Sequence, residues 1–204
     1  MKDFGDISSQ RLESTKQKQA SFLVRLLVFS LLLLAIDRAL GHFLLSGLET
    51  YYGLDSPSEI LLVGHSHTVL GVDKPLLERQ TGLRVAKYAR QGANAADRLA
   101  MIRQYLDRHG NEVKLVVYDV DAYSFSAAGL SANSYSLFYP FMADPAIRAY
   151  LGQLDVPELQ IAVREVSHAA RFSEVTVGLA MRGWLRNWSN LKSGRVDVGR
   201  LEQE

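Results

Sequence analysis

Cysteine is missing from this chain, which excludes disulfide frameworks, zinc ribbons, thiol redox centres and cysteine nucleophiles and leaves the compartment open. An excess of charge of one sign is missing too. Lys and Arg number 23 against 22 Asp and Glu, and a net +1 sets up no field that would draw nucleic acid, so any basic partner surface must be local. No internal repeat or low-complexity tract interrupts the sequence. What remains is the make-up of a folded protein: 48% hydrophobic and 22% charged residues over 204 positions, enough for one main domain.

The apolar residues are unevenly placed. From Leu26 to Ile36 the chain reads LLVFSLLLLAI, within an interrupted apolar stretch from Phe22 to about Leu45. Crossing a bilayer takes about 20 residues of helix. Arg25, Asp37, Arg38 and His42 fall inside the window and are costly at its centre, but Arg25 can snorkel to one interface and Asp37 and Arg38 lie towards the other. A membrane helix, a cleaved signal peptide and a buried helix compete for this segment. A polar leader over 1–21 and the lack of a small-x-small site favour an uncleaved anchor over 22–46. Lys2, Arg11, Lys16, Lys18 and Arg25 precede or open the span, and no Lys or Arg occurs between Arg38 and Lys74. The positive-inside rule then expects 1–21 in the cytoplasm, and a linker over 47–57 and a domain over 58–204 outside, the periplasm in a Gram-negative cell.

Residues 59–64, Glu-Ile-Leu-Leu-Val-Gly, read as a buried parallel strand. His65, Ser66 and His67 follow at once, at the carboxyl end of a strand, where ligands sit in open parallel sheets, and Ser66 is placed like a nucleophile. Helix is expected over 69–80, strand over 83–89, helix over 95–108 and strand over 113–120. That alternation implies a three-layer, doubly wound parallel α/β sheet of flavodoxin-like type behind one transmembrane helix. The loop Arg90-Gln91-Gly92-Ala93-Asn94 ends the second strand and leads into a helix. Its glycine lets backbone N–H groups approach a developing anion.

The order of Gly64-His65-Ser66-His67, Gln91-Gly92-Ala93-Asn94 and a third strand ending in Asp119-Val120-Asp121 resembles the amino-terminal half of the SGNH (GDSL-like) hydrolase superfamily. The nearest flavour is its membrane-anchored bacterial branch, similar to DltD-like and polysaccharide O-acetylation proteins. The resemblance covers residues 58–125. It implies Ser66 as nucleophile, with its own N–H and that of Gly92 as oxyanion donors, Asn94, His65 and His67 as further substrate-binding candidates, and no cofactor. The family's Gly-x-Asn block has no counterpart at Val120-Asp121. The family's general base comes from a carboxyl-terminal Asp-x-x-His. Glu165-Val166-Ser167-His168 has that spacing and makes His168 the candidate, but it lies within 157–172, which reads as helix capped by Asp155 with Pro157 in its first turn.

Beyond Asp121 comes a stretch with Tyr123, Phe125, Tyr135, Phe138, Tyr139 and Phe141, then two helical segments and no further strand pattern. The sheet is expected to stop at three strands, as in a shortened relative or a reading frame that ends before the last block. Val175, Leu179, Leu185 and Trp188 form an apolar face that needs a partner subunit, a membrane or the domain's own sheet. Arg182, Arg186, Lys192 and Arg195 beside it suit either an anionic lipid surface or plain solvation. His65 and His67 alternate onto one side, but with no third ligand in view no metal is expected.

Two functions follow. One is a membrane-anchored serine esterase or acyltransferase acting on acylated cell-envelope or extracellular polysaccharides, in the bacterial inner membrane. The other is a non-catalytic, membrane-tethered binding or assembly protein with a degenerate SGNH fold. A weaker third is a plain inner-membrane protein whose last helix contacts lipid or another subunit. Membrane lipid is the common partner, and nucleic acid is not one.

Overall fold

The computed structural model describes residues 4–120 and 134–186, with side chains from residue 17 onward. Tyr123, Phe125, Trp188, Lys192, Arg195 and Asp121 lie outside the described residues. The chain is an α/β protein with one long apolar helix at its amino terminus and a three-stranded parallel sheet.

Helix α1 runs Phe4–Tyr52 without a break. Its leucine-rich stretch holds no proline to interrupt it. Two regimes share this one helix. Every residue over 17–36 is exposed, including the interrupted apolar stretch that begins at Phe22. From Leu44 one face sinks into the domain, and Leu44, Leu48, Tyr51 and Tyr52 join the main core. These positions follow an i, i+4, i+7, i+8 spacing, one stripe of a helix. Within Gln17–Tyr52 the helix is long and apolar enough to cross a membrane.

Residues 47–52, expected in a linker, are therefore helical and packed. The stop comes at Gly53, whose φ of +73° suits glycine. The Gly53 N–H donates to the Thr50 carbonyl and the Leu54 N–H to that of Glu49, the pair of bonds of a Schellman cap. A Cβ at Gly53 would also come within 2.9 Å of Ala86 Cα on the sheet.

The strands are β1 (Ile60–Gly64), β2 (Val85–Ala89) and β3 (Leu115–Tyr118), in the order β2-β1-β3 and all parallel. Ile60 pairs with Val85 on one side and Leu115 on the other. Alternation along β1 divides its side chains between two faces. Leu61 and Val63 enter the main core with α1 and α4 (Ala95–His109), while Ile60 and Leu62 meet Leu77 of α3 (Lys74–Thr81) in a smaller cluster. β1 and β2 are buried throughout, whereas β3 is exposed along its length.

Where one helix over 69–80 is expected there are two: α2 (Ser66–Gly71) and α3, separated at Val72 and Asp73. The Asp73 side chain accepts from the Leu76 N–H and Pro75 fills the first turn, so a new helix starts instead of the old one continuing. Further on, α5 (Pro145–Leu151), α6 (Glu158–Val166) and α7 (Glu174–Trp184) follow. α6 stops at Val166 instead of running to 172, and its N-cap is Pro157, with no side-chain cap from Asp155.

α7 is covered by α1, not by the sheet. Its buried face is Thr176, Ala180 and Gly183. Gly183 lies against the Gly47 carbonyl so closely that a Cβ has no room. The Phe43 and Trp184 rings stack at 5.0 Å, and the Trp184 indole N–H donates to the Phe43 carbonyl at 3.1 Å. Val175 and Leu185 stay exposed.

Asp37 and Arg38 explain how charges are tolerated at this depth of α1. The Asp37 carboxylate accepts from Ser167 Oγ–H at 2.7 Å, from the His168 N–H at 2.8 Å and from the Ala169 N–H at 3.0 Å. Arg38 pairs with Asp37 and donates to the Val166 carbonyl at 2.8 Å. The loop after α6 is thereby fastened to α1 where the fully exposed stretch ends.

Candidate functional site

In a sheet ordered β2-β1-β3, the loops leaving β1 and β3 are neighbours, because the chain crosses from one edge to the other between β2 and β3. Such a reversal leaves a crevice at the carboxyl ends of the strands. The structure brings His65, Ser66 and His67 from β1 together there with Asp119 from β3.

Gly64 makes that approach possible: a Cβ on it would strike Thr68 Oγ1 and come within 2.7 Å of Asp119 Cβ. His65, almost fully buried, is the N-cap of α2, and its Nδ1 accepts the His67 backbone N–H at 3.3 Å. Ser66 Oγ lies 3.1 Å from the same Nδ1. On the far side of the ring, Nε2 is 3.7 Å from Asp119 Oδ2, and that oxygen accepts from Thr68 Oγ1–H at 2.9 Å. A ring nitrogen that accepts an N–H carries a lone pair, so the proton of a neutral His65 sits on Nε2, facing the carboxylate.

The backbone of Asp119 is held from α4. Arg98, fully buried, donates through Nη1 to the Asp119 carbonyl and through Nε to the Asn94 carbonyl, with its guanidinium 4.9 Å from the Tyr118 ring centre. Sequence reasoning placed Asp119 only at the end of a strand. The signal that could have found it is the parallel order itself, which sets the residue after β3 beside the residue after β1.

Gly92 lies in the loop after β2, one strand over from Ser66, with φ +73°. Asn94 is occupied elsewhere: its side chain caps α4 by accepting the Asp97 N–H at 2.8 Å, and Asp97 Oδ2 returns a bond to the Asn94 N–H at 2.9 Å. His168 packs on α1, its side chain against Gly41, and it borders a cavity of about 310 Å³ with Arg38, His42 and Arg171. Burial, then the charges of Arg171 and Arg38, lower its pKa below the ordinary 6.5. Glu165, its partner in the expected motif, is ion-paired with Arg148.

The crevice also answers the question of a third ligand. His65, His67 and Asp119 each offer a donor atom, and all three atoms lie within 4.8 Å of one another. Compared with known protein families, curated proteins and solved structures, the chain matches none.

Proposed function

We propose that this is a membrane-anchored, SGNH-like serine esterase or acyltransferase acting on esters of cell-envelope or extracellular polysaccharides, with a doubly wound sheet and its domain on the outer side of the membrane. The observation that carries the reading is the contact of Ser66 Oγ with His65 Nδ1 at 3.1 Å, with Asp119 behind the other ring nitrogen. A hydroxyl needs a base within hydrogen-bond reach, that base needs an orienting group, and three side chains from two adjacent strand ends meet both demands.

In this reading His65 Nδ1 takes the Ser66 proton as Oγ attacks the acyl carbonyl. The imidazolium that forms is stabilised by Asp119, and the N–H groups of Gly92 and Ser66 receive the oxyanion. The proton then passes to the leaving alcohol, and water or a second hydroxyl accepts the acyl group. His65 replaces the distant histidine of the family pattern, so His168 has no part in the chemistry. A fluorophosphonate probe tests this: labelling of the full chain is lost in Ser66→Ala, falls about 100-fold in His65→Gln and is unchanged in His168→Gln. Wild-type protein that takes no label would leave the non-catalytic, tethered binding protein as the reading.

The membrane side has its own test, because the chain has no native cysteine. A single cysteine at exposed Asp55 reacts with a membrane-impermeant maleimide on intact spheroplasts if the domain faces outward, and only after lysis if it faces inward.

A second reading is favoured by the three convergent donors: a divalent cation of the zinc class held by His65 Nε2, His67 and Asp119, with a position left for water or substrate. It requires the opposite tautomer, since a metal on Nε2 puts the His65 proton on Nδ1. Zinc binding by calorimetry, lost in His67→Ala while serine labelling persists, separates the two.

A further inference from the structure

Where the fully exposed stretch of α1 ends, Arg38, Gly41, His42 and Leu45 follow at i, i+3, i+4 and i+7 on a single face of the helix. They form one wall of the cavity of about 310 Å³, and His168, Arg171 and Phe172 line it from the segment after α6. That volume lies at the lower end of clefts that take small ligands. Arg38, His42, His168 and Arg171 bring N–H donors to it, and among the described residues no carboxylate lines it.

Arg171 is half-buried and carries a charge with no carboxylate of its own. Its Nε donates to the Arg164 carbonyl at 2.7 Å, and among the described residues no ion pair reaches it. The two carboxylates whose fields act on it are already engaged, Asp37 by Arg38 and three donors, and Glu165 by Arg148. Burial, then the like charge of Arg38, lower its pKa below the ordinary arginine value. Arginine does not shed its proton, so what relieves this repulsion is an anion from outside the chain, and a phosphate or carboxylate suits the guanidinium fork.

The depth of the cavity says where that anion comes from. Over 17–36, all exposed, the helix rises about 30 Å, the thickness of the hydrocarbon layer. The next ~9 Å of rise carries Arg38 and His42 and falls among the phospholipid headgroups. Phe43, one residue on, stacks with Trp184, and both rings are about half exposed, as suits side chains of the membrane interface.

We propose that this cavity holds the phosphate of an anionic phospholipid, with Arg171 and Arg38 as its cations and Leu45 and Phe172 beside the start of its acyl chains. The inference rests on α1 crossing the bilayer. It does not depend on Ser66 being a nucleophile or on which side of the membrane the domain lies. Free phosphate offers the same oxygens but is not concentrated at this depth, and a phosphatidylcholine phosphate brings its own cation.

The test places the full chain in lipid discs, of phosphatidylcholine alone or mixed with phosphatidylglycerol of the same acyl chains, and reads the melting temperature. A ligand that binds only the native state raises it, and wild type is expected to melt at least about 3 °C higher with phosphatidylglycerol. Arg171→Gln is expected to lose most of that rise. Arg103→Gln removes an exposed cation from α4, outside the cavity, and is expected to keep it. Should Arg171→Gln fail to fold, His42→Glu sets a carboxylate at an exposed position in the same wall and is expected to abolish the rise. No rise in wild type, or a rise unchanged in the folded cavity variant, overturns the proposal. So does a rise of equal size when inorganic phosphate is added to phosphatidylcholine discs. A chain that enters neither disc breaks the membrane-spanning reading and the proposal with it, whereas a chain held in both discs without the rise breaks the proposal alone.

Discussion

Two aspartates divide this molecule. Asp37, on the long helix, is saturated: a hydroxyl, two backbone N–H groups and Arg38 occupy its oxygens. Asp119, at the end of β3, accepts from one side chain among the described residues, the Thr68 hydroxyl, and faces the His65 ring at a distance too long for a hydrogen bond. A carboxylate whose lone pairs are all taken works as a fastener, and its removal is felt in stability. One with capacity to spare can respond to a charge that appears beside it, and its removal is felt in chemistry.

The sharpest way to break this contrast is to delete each carboxylate in turn. Asp37→Ala leaves three donors and a cation without their acceptor and is expected to cost about 3 kcal/mol in thermal unfolding, since hydrogen bonds to charged groups are the stronger ones. Serine labelling of the molecules that stay folded is expected to be unchanged. Asp119→Asn keeps an acceptor for Thr68 and is expected to hold its melting temperature within a few degrees while labelling falls about 100-fold. Equal stability losses at both positions would dissolve the distinction.

Gly183→Val probes the neighbouring fastening, where α7 meets α1 with no space for a side chain. Overpacking there is expected to cost about 2 kcal/mol, read by denaturant unfolding, with the site again unaffected. Thr68→Val removes the hydroxyl that donates to Asp119 and is expected to cost about 1 kcal/mol.

The smallest effect is one of pH. His168 has a folded-state pKa below its ordinary value, so the unfolded chain takes up a proton first as the solution is acidified. Stability contributed at this position is present at neutral pH, declines as pH falls through 6.5, and levels off below the folded value. Unfolding of wild type and His168→Gln from pH 7.5 to 5 measures the difference, and a wild type that gains stability on acidification relative to the variant would contradict it.

Much of the sheet was legible in the sequence because buried parallel strands are short apolar runs closed by turn residues. Ile60–Gly64 and Val85–Ala89 fall inside the expected 59–64 and 83–89, and α4 ends one residue beyond its expected boundary. The long helix was half legible. Hydropathy marks where an apolar run ends, but Leu44, Leu48, Tyr51 and Tyr52 continue the same helix on a narrower stripe, which hydropathy does not see. At the crevice, Ser66 and its two histidines were visible from their place after β1. Asp119 was not tied to them, because contacts between residues 51 or more positions apart follow from strand order and not from local pattern. Glu165 and His168 match a motif by spacing, and in the structure Glu165 is paired with Arg148 while the His168 side chain rests on α1.

The unbroken run of α1 from exposed apolar surface into the protein core has a mechanical consequence. From Ile36 to Tyr52 the helix rises about 24 Å, so the crevice is carried on a stiff mast instead of a tether. A tethered head sweeps a hemisphere and finds substrate at many heights. On the proposed function, a mast holds the crevice at one altitude and one tilt, and a substrate has to be delivered to that layer.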